Sequence, residues 1–281
     1  MSLKEDYNYC RNVIKENSKS FYAAFSVLPK EKRNAVYAIY TFCRFADDSI
    51  DVLGSLDKLL ELEANLDQFV ADNTPDTPVF RALRDTFDKY DLDSLPFYDM
   101  IEGQKRDYTF IQPATMEEFK DYCYHVAGTV GLLLLPIIAT ENQNQLKDVA
   151  IRLGEAMQIT NILRDVGEDY QINRIYLPED LLLEYPKALQ AIETNIVNAD
   201  FINVWETLAK IAEANYTIFF ESIHLFDPDS QKAVANSALF YSEILNVVRK
   251  ADYDCLTERR YVSSFEALTV KLNQLLKKRE D

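Results

Sequence analysis

Apolar residues recur along this chain at intervals of three and four, the spacing of one buried helical face. Tyr7, Cys10, Val13 and Ile14 form such a stripe and predict a helix over 4–17. The small hydroxylic run Asn17-Ser-Lys-Ser-Phe21 interrupts it, and an apolar segment from Tyr22 to Leu28 stops at Pro29. Val36, Ile39, Tyr40 and Cys43 then predict a long helix over 30–52. Weaker patterns cover 56–71, 78–90 and 96–108, with breaks at Pro75, Pro78 and Pro96. Thr115-Met-Glu-Glu118 has the form of a capping box and starts a helix after Pro113 that runs through Tyr122 and Tyr124 into Ala127-Gly-Thr-Val-Gly131. The two glycines clear one side of that helix for a neighbouring helix or a ligand, and the pattern leaves both open. Further helices are expected over 144–170, 199–225, 229–252 and 263–278, with a loop past Pro178 and Pro186. Asp227-Pro228 reads as an N-cap followed by proline at the first helical position.

Only 6 Gly and 9 Pro in 281 residues, with 48% hydrophobic and 12% aromatic residues, favour an all-α chain with a substantial core. No repeat, low-complexity tract or long linker divides it, so one helical domain over 1–281 is expected. The net charge of −16 makes nucleic acid an unsuitable partner, since an acidic surface repels phosphate backbones. Four widely spaced cysteines and two histidines match no zinc pattern, and a reducing cytoplasm is expected. The N-terminus lacks the apolar stretch of a signal peptide, and the apolar run from Val130 to Ala139 is too short to span a bilayer. A peripheral contact with the inner membrane face is kept as an expectation.

The candidate chemistry sits on two of these helices. At 100° per residue, Tyr40, Arg44, Asp47 and Asp51 share a face about 60° wide, with Asp48 off its edge. Gln158, Asn161, Asp165 and Asp169 share a second face about 80° wide, on a helix whose other side is apolar. Either row alone is compatible with a solvated charge pattern. Together they offer hard oxygen ligands of the kind that suits Mg²⁺, and several facing carboxylates stay ionised only beside cations. A cluster of Mg²⁺ ions bridging carboxylates to a diphosphate fits this pattern. Ser18, Lys19, Ser20, Arg44, Arg164 and Arg174 are then candidates to donate hydrogen bonds to phosphate oxygens.

The ordered motifs Ser18-Lys-Ser-Phe21, Tyr40-Thr-Phe-Cys-Arg44, Asp47-Asp-Ser-Ile-Asp51, Ala127-Gly-Thr-Val-Gly131, Asn161-Ile-Leu-Arg-Asp-Val-Gly-Glu-Asp169 and Arg174-Ile-Tyr-Leu-Pro178 resemble the squalene/phytoene synthase family, from about residue 8 to residue 250. The resemblance implies an all-α isoprenoid-synthase bundle with a central cavity, and head-to-head condensation of two prenyl diphosphates through a cyclopropylcarbinyl diphosphate. It implies Asp47, Asp51, Asn161, Asp165 and Asp169 as metal ligands. It further implies Ser18, Lys19, Ser20, Phe21, Tyr40, Arg44, Gln158, Arg164 and Tyr241 as diphosphate or prenyl contacts, with Tyr122, Arg174 and Tyr176 at further cavity positions. Tyr40, Arg44, Asp47, Asp51, Tyr122, Asp165 and Asp169 are the expected catalytic set. Asn17 departs from the pattern, which carries histidine there.

Within the family, the Lys19-Ser-Phe and Asp47-Asp-Ser-Ile-Asp51 segments look closest to bacterial dehydrosqualene (4,4'-diapophytoene) synthases, which join two farnesyl diphosphates for C30 carotenoids without a nicotinamide cofactor. Phe21, Phe25 and Tyr37 are expected to limit the depth of the prenyl pocket. Phytoene synthesis from two geranylgeranyl diphosphates, squalene synthesis with NADPH, and a non-catalytic prenyl-diphosphate binder are the alternatives. Head-to-tail elongation is disfavoured, because the second motif is not a repeat of Asp47-Asp48-x-x-Asp51.

Overall fold

A computed structural model describes residues 2–262, so the helix expected over 263–278 lies outside the described residues. Among the described residues there are helices and turns and no strand. The chain opens with α1 (Leu3–Asn17), α2 (Lys19–Phe25), α3 (Lys30–Asp51), α4 (Leu56–Val70), α5 (Pro78–Lys89), α6 (Leu95–Tyr108) and α7 (Met116–Cys123). A π turn (Tyr124–Gly128) leads into α8 (Thr129–Ile138), followed by α9 (Gln143–Gln171), α10 (Glu179–Glu184), α11 (Ala188–Thr194), α12 (Ala199–Ser222) and α13 (Pro228–Lys250).

Local chemistry sets many of the boundaries. Ser18 is extended, with φ −144° and ψ 92°; its N–H donates to Ile14 O to close α1, and its hydroxyl accepts from Phe21 N to open α2. The interruption at 17–21 is therefore a sharp joint, and the apolar segment that follows belongs to a helix, α2, already begun at Lys19. Thr115 accepts from Glu118 N at 3.2 Å, while the Glu118 carboxylate reaches back to Ala114 N at 2.7 Å. Asp227 holds the N-cap position with Pro228 opening α13, as expected, but its carboxylate makes no cap hydrogen bond and turns to Lys32 at 2.7 Å and to Thr140 N at 3.0 Å. The stretch 179–194, expected as a loop, contains α10 and α11, whose Leu181, Leu182, Ala188, Ala191 and Ile192 are buried. Those two elements are too short for periodicity to reveal.

α3 and α9 are the two central helices. α4, α5, α6 and α8 pack on α3, while α8, α12 and α13 pack on α9. α2 bridges α1 and α13. Backbones meet where glycine permits: a Cβ on Gly131 would lie 2.2 Å from Ala150 O, and one on Gly154 would lie 2.2 Å from Ala127 O. The open question about Gly131 thus resolves toward helix packing, although the same residue also borders the central cavity. The run 116–138 is, by length and composition, long and apolar enough to cross a membrane, which the shorter stretch 130–139 did not reveal. Half of its most apolar window is buried in the protein, against α3, α6 and α9.

Candidate active site

A cavity of about 680 Å³ opens between α2, α3, α8, α9 and α13. Its deep wall is apolar, with Val36, Ile39, Met100, Leu134, Ile138 and Val234. Its other end carries Ser18, Lys19, Ser20, Tyr40, Arg44, Asp47, Gln158, Asn161, Arg164 and Tyr241, all expected from sequence. Phe21 lies between these ends, 5.8 Å from Phe25, 6.4 Å from Tyr40 and 5.4 Å from Tyr241 between ring centroids. An apolar chamber with a cationic and acidic rim suits a ligand with a long hydrocarbon tail and an anionic head.

The carboxylates of the two rows are held by arginines. Arg44 pairs with Asp47 at 3.2 Å and also with Asp48, so Asp48 faces the guanidinium. Arg164 grips its neighbour Asp165 through two 2.6 Å hydrogen bonds, and Arg259 approaches the same carboxylate at 3.2 Å. Arg174 reaches across to Asp51 at 3.0 Å. Burial raises Asp47 to about 7, with Asp51 as the next cause. The Asp47 side chain lines the cavity and 35% of it still meets solvent, so water moderates the size of this rise and leaves its direction. Asp169 is likewise pushed to about 7, first by burial and then by Asp165. Asp51 is also among the charges that raise Asp169, so the two rows feel each other across the site.

Not every expected residue borders the central cavity. Asp51, Asp165 and Asp169 are not among the lining residues: Asp51 is paired with Arg174, Asp165 with Arg164, and Asp169 borders a small neighbouring void. Tyr122 and Tyr176 line a separate cleft of about 250 Å³, a correction to their expected placement in the cavity. Arg174 stands with Asp169 and Tyr176 around a small void. Tyr37 is also corrected: it faces away from the cavity and stacks on Tyr22, with centroids 6.0 Å apart. α3 carries aromatic residues on both sides, and packing alone determines which side faces inward.

Two residues escaped the sequence reading. Asp107, 5% exposed, accepts hydrogen bonds from Tyr122 Oη and Tyr176 Oη, each at 3.0 Å, and its backbone carbonyl accepts from Arg174 at 3.2 Å. Burial raises its carboxyl to about 6 against the opposing pull of Arg174. A lone aspartate at the end of α6 shares no row with other acids, so periodicity offered no signal. Arg259 lies on the segment after α13, which docks where Gly167 N donates to Cys255 O at 3.1 Å. A Cβ on Gly167 would fall 2.1 Å from Leu256 O, so glycine is what lets this strap approach α9.

The donor set suits a hard divalent cation. Asn161 Oδ1 is buried on the acidic face of α9 without a hydrogen-bond partner, an acceptor awaiting a donor or a cation. Among the described residues no three His, Cys, Asp or Glu side chains converge on one point, and Asp47, Asp51 and Asp165 are instead paired with arginines. Oxygen-only ligands, an orphaned amide oxygen and carboxyls pushed up first by burial and then by neighbouring carboxylates all fit Mg²⁺.

Residues 14–266 match the sequence model described as squalene/phytoene synthase. The chain is 37% identical over 285 residues to a 4,4'-diapophytoene synthase of Staphylococcus haemolyticus (strain JCSC1435), covering 100% of this chain and 99% of that relative. It is 35% identical to a phytoene synthase of Arthrospira platensis, covering 94% of this chain and 90% of the relative. Among solved structures, a dehydrosqualene synthase in complex with ligand superposes with a TM-score of 0.93 at 41% identity, covering 98% of both chains. A match over most of the chain in family sequence, in full-length relatives and in fold has one meaning: the chain belongs to the squalene/phytoene synthase family of prenyl-transferring synthases.

Proposed function

We propose that this enzyme joins two farnesyl diphosphates head to head, through a cyclopropylcarbinyl diphosphate, to dehydrosqualene (4,4'-diapophytoene), a C30 carotenoid precursor. The observation that carries the reading is the chamber itself: an apolar cavity of about 680 Å³ whose rim brings Asp47 of α3 and Asn161 of α9 to one end. The likeness to diapophytoene and dehydrosqualene synthases supports the C15 substrate. Phytoene synthesis from C20 units is the second reading, favoured by the phytoene synthase relatives.

Asp47, Asp51, Asn161, Asp165 and Asp169 would hold Mg²⁺. When bound there, Mg²⁺ would supply Lewis-acid activation of the departing diphosphate and neutralise its charge. Lys19, Arg44, Arg164 and Arg259 stand beside the same rim as donors for phosphate oxygens. Each arginine now bound to a row carboxylate would exchange that partner for the diphosphate. Phe21, Tyr40 and Tyr241 offer π faces to an allylic cation. The apolar wall keeps water from capturing that cation before the second prenyl chain attacks it. The cyclopropylcarbinyl intermediate then loses its own diphosphate and rearranges, and proton loss from the resulting cation, without a nicotinamide reductant, gives a hydrocarbon with a central conjugated triene. We place the enzyme in the cytoplasm, peripheral to the membrane that receives its hydrocarbon.

The test is incubation of purified protein and Mg²⁺ with farnesyl or geranylgeranyl diphosphate, with and without NADPH, followed by identification of the hydrocarbon. Dehydrosqualene from the C15 substrate, unchanged by NADPH, is expected. Phytoene alone, or squalene on adding NADPH, would replace the proposal, and no head-to-head product would end it. Asp47→Ala and Asp165→Ala should each abolish product while keeping the helical circular dichroism signal.

A further inference from the structure

On the far side of α2 from the cavity lies a second concavity, a groove of about 520 Å³ walled by α1, α2, α3 and the end of α5. α2 is shared by both: Phe21 and Phe25 face the cavity, while Tyr22 and Ser26 face the groove. Five cations line this groove, Lys4, Arg11, Lys30, Arg33 and Lys89, against the single lining carboxylate of Glu31. On a chain of net charge −16 this is a concentrated reversal of sign.

The cations are not used up by internal pairing. Lys89 is bound to Asp85 at 2.7 Å. Arg33 donates to the Ser26 carbonyl at 3.2 Å, and Arg11 donates to Tyr22 Oη at 3.1 Å, so both keep their full charge without a carboxylate. Lys4 and Lys30 are exposed, and neither makes an ion pair among the described residues. Exposed aliphatic side chains accompany them: Leu3, which lines the groove, is 41% exposed, and Val27, the residue after lining Ser26, is 52% exposed. Cations set in a groove and accompanied by exposed aliphatic side chains match a surface that is anionic at the headgroup and apolar just beneath. A free nucleic acid or acidic peptide would use the charge and leave Leu3 and Val27 in water.

We infer that this groove docks the enzyme on anionic phospholipid, with Lys4, Arg11, Lys30 and Arg33 against headgroup phosphates and Leu3 and Val27 dipping into the interface. The enzyme would then sit with α2 between the membrane and its prenyl cavity. This goes beyond the condensation chemistry and names the surface that the proposed peripheral location would use.

Flotation of the full-length protein with vesicles tests it and needs no turnover, so its outcome is separate from that of the product assay. Wild type is expected to bind equimolar phosphatidylcholine–phosphatidylglycerol vesicles and not phosphatidylcholine alone, and to lose that binding in high salt. Lys4→Glu/Lys30→Glu should weaken binding on the order of thirtyfold or more, from about one kcal/mol per cation removed at an anionic surface. The same variant should keep wild-type turnover of detergent-dispersed substrate, since neither lysine borders the cavity. Leu3→Ser/Val27→Ser should weaken binding at unchanged salt dependence. Equal binding to both vesicle types, or unaltered binding of the folded lysine variant, would overturn the inference. Failure to bind either vesicle, with inorganic phosphate protecting the groove lysines from acetylation, would overturn it in favour of a free-anion site.

Discussion

Phe25 and Tyr37 look interchangeable in the sequence as bulky residues near the prenyl pocket, yet their side chains point to opposite sides of the wall. Phe25 is 4% exposed, lines the cavity and stacks on Phe21. Tyr37 is buried under the outer groove against Tyr22. Phe25→Ala should therefore deepen the chamber and let geranylgeranyl diphosphate yield a detectable C40 product, while Tyr37→Ala should leave the product length unchanged. Chromatography of the products from mixed C15 and C20 substrate checks the pair, and an equal shift by both would refute the assigned orientations. Asp107 makes a related point. Its neighbours Tyr122, Arg174 and Tyr176 came to attention through motifs, whereas Asp107 is recognised only because all three meet at it.

Close approach between α9 and the π turn preceding α8 sets the height of the second acidic row, and Gly154 is where the two backbones come together. Alanine there gains about 1 kcal/mol of helix propensity. The added methyl, however, would fall 2.2 Å from Ala127 O and 2.9 Å from Gly128 Cα, both backbone atoms that move only if an element moves. Overpacking of this kind typically costs about 1–3 kcal/mol and more against rigid backbone, so the clash outweighs the propensity gain. Gly154→Ala should lower Tm by a few degrees, at about 2–4 °C per kcal/mol for a chain of roughly this size. A calorimetric scan showing an unchanged or raised Tm would mean that the helices separate freely. The capping signal at Thr115 was legible because a cap is a contact between residues three or four apart, whereas the cap that Ser18 forms on α2 was not read from the sequence. α10 and α11 were not, since six or seven residues carry less than two turns of pattern.

For the molecule as a whole, the two acidic rows represent unfavourable charge crowding that ligand binding should relieve. Mg²⁺ with inorganic diphosphate should raise Tm, and a chelator should reverse the rise. At about a hundredfold excess over Kd the stabilisation is about 2.7 kcal/mol, hence on the order of 5–10 °C. Thermal unfolding with each component alone and with both together reads this directly. No shift with the pair would argue against the rim as a metal–diphosphate site.

Helical class, most helix boundaries and the composition of both oxygen-bearing rows followed from sequence by itself, because i, i+3 and i+4 spacing fixes which side chains share a face of one helix. Tertiary structure decided how those faces meet. Arg174 finds Asp51 across 123 positions of chain, Arg259 finds Asp165, and Tyr37 turns its back on the cavity. Such pairings depend on how helices pack, and a helix with apolar and aromatic residues on several sides does not announce which side its neighbours will cover.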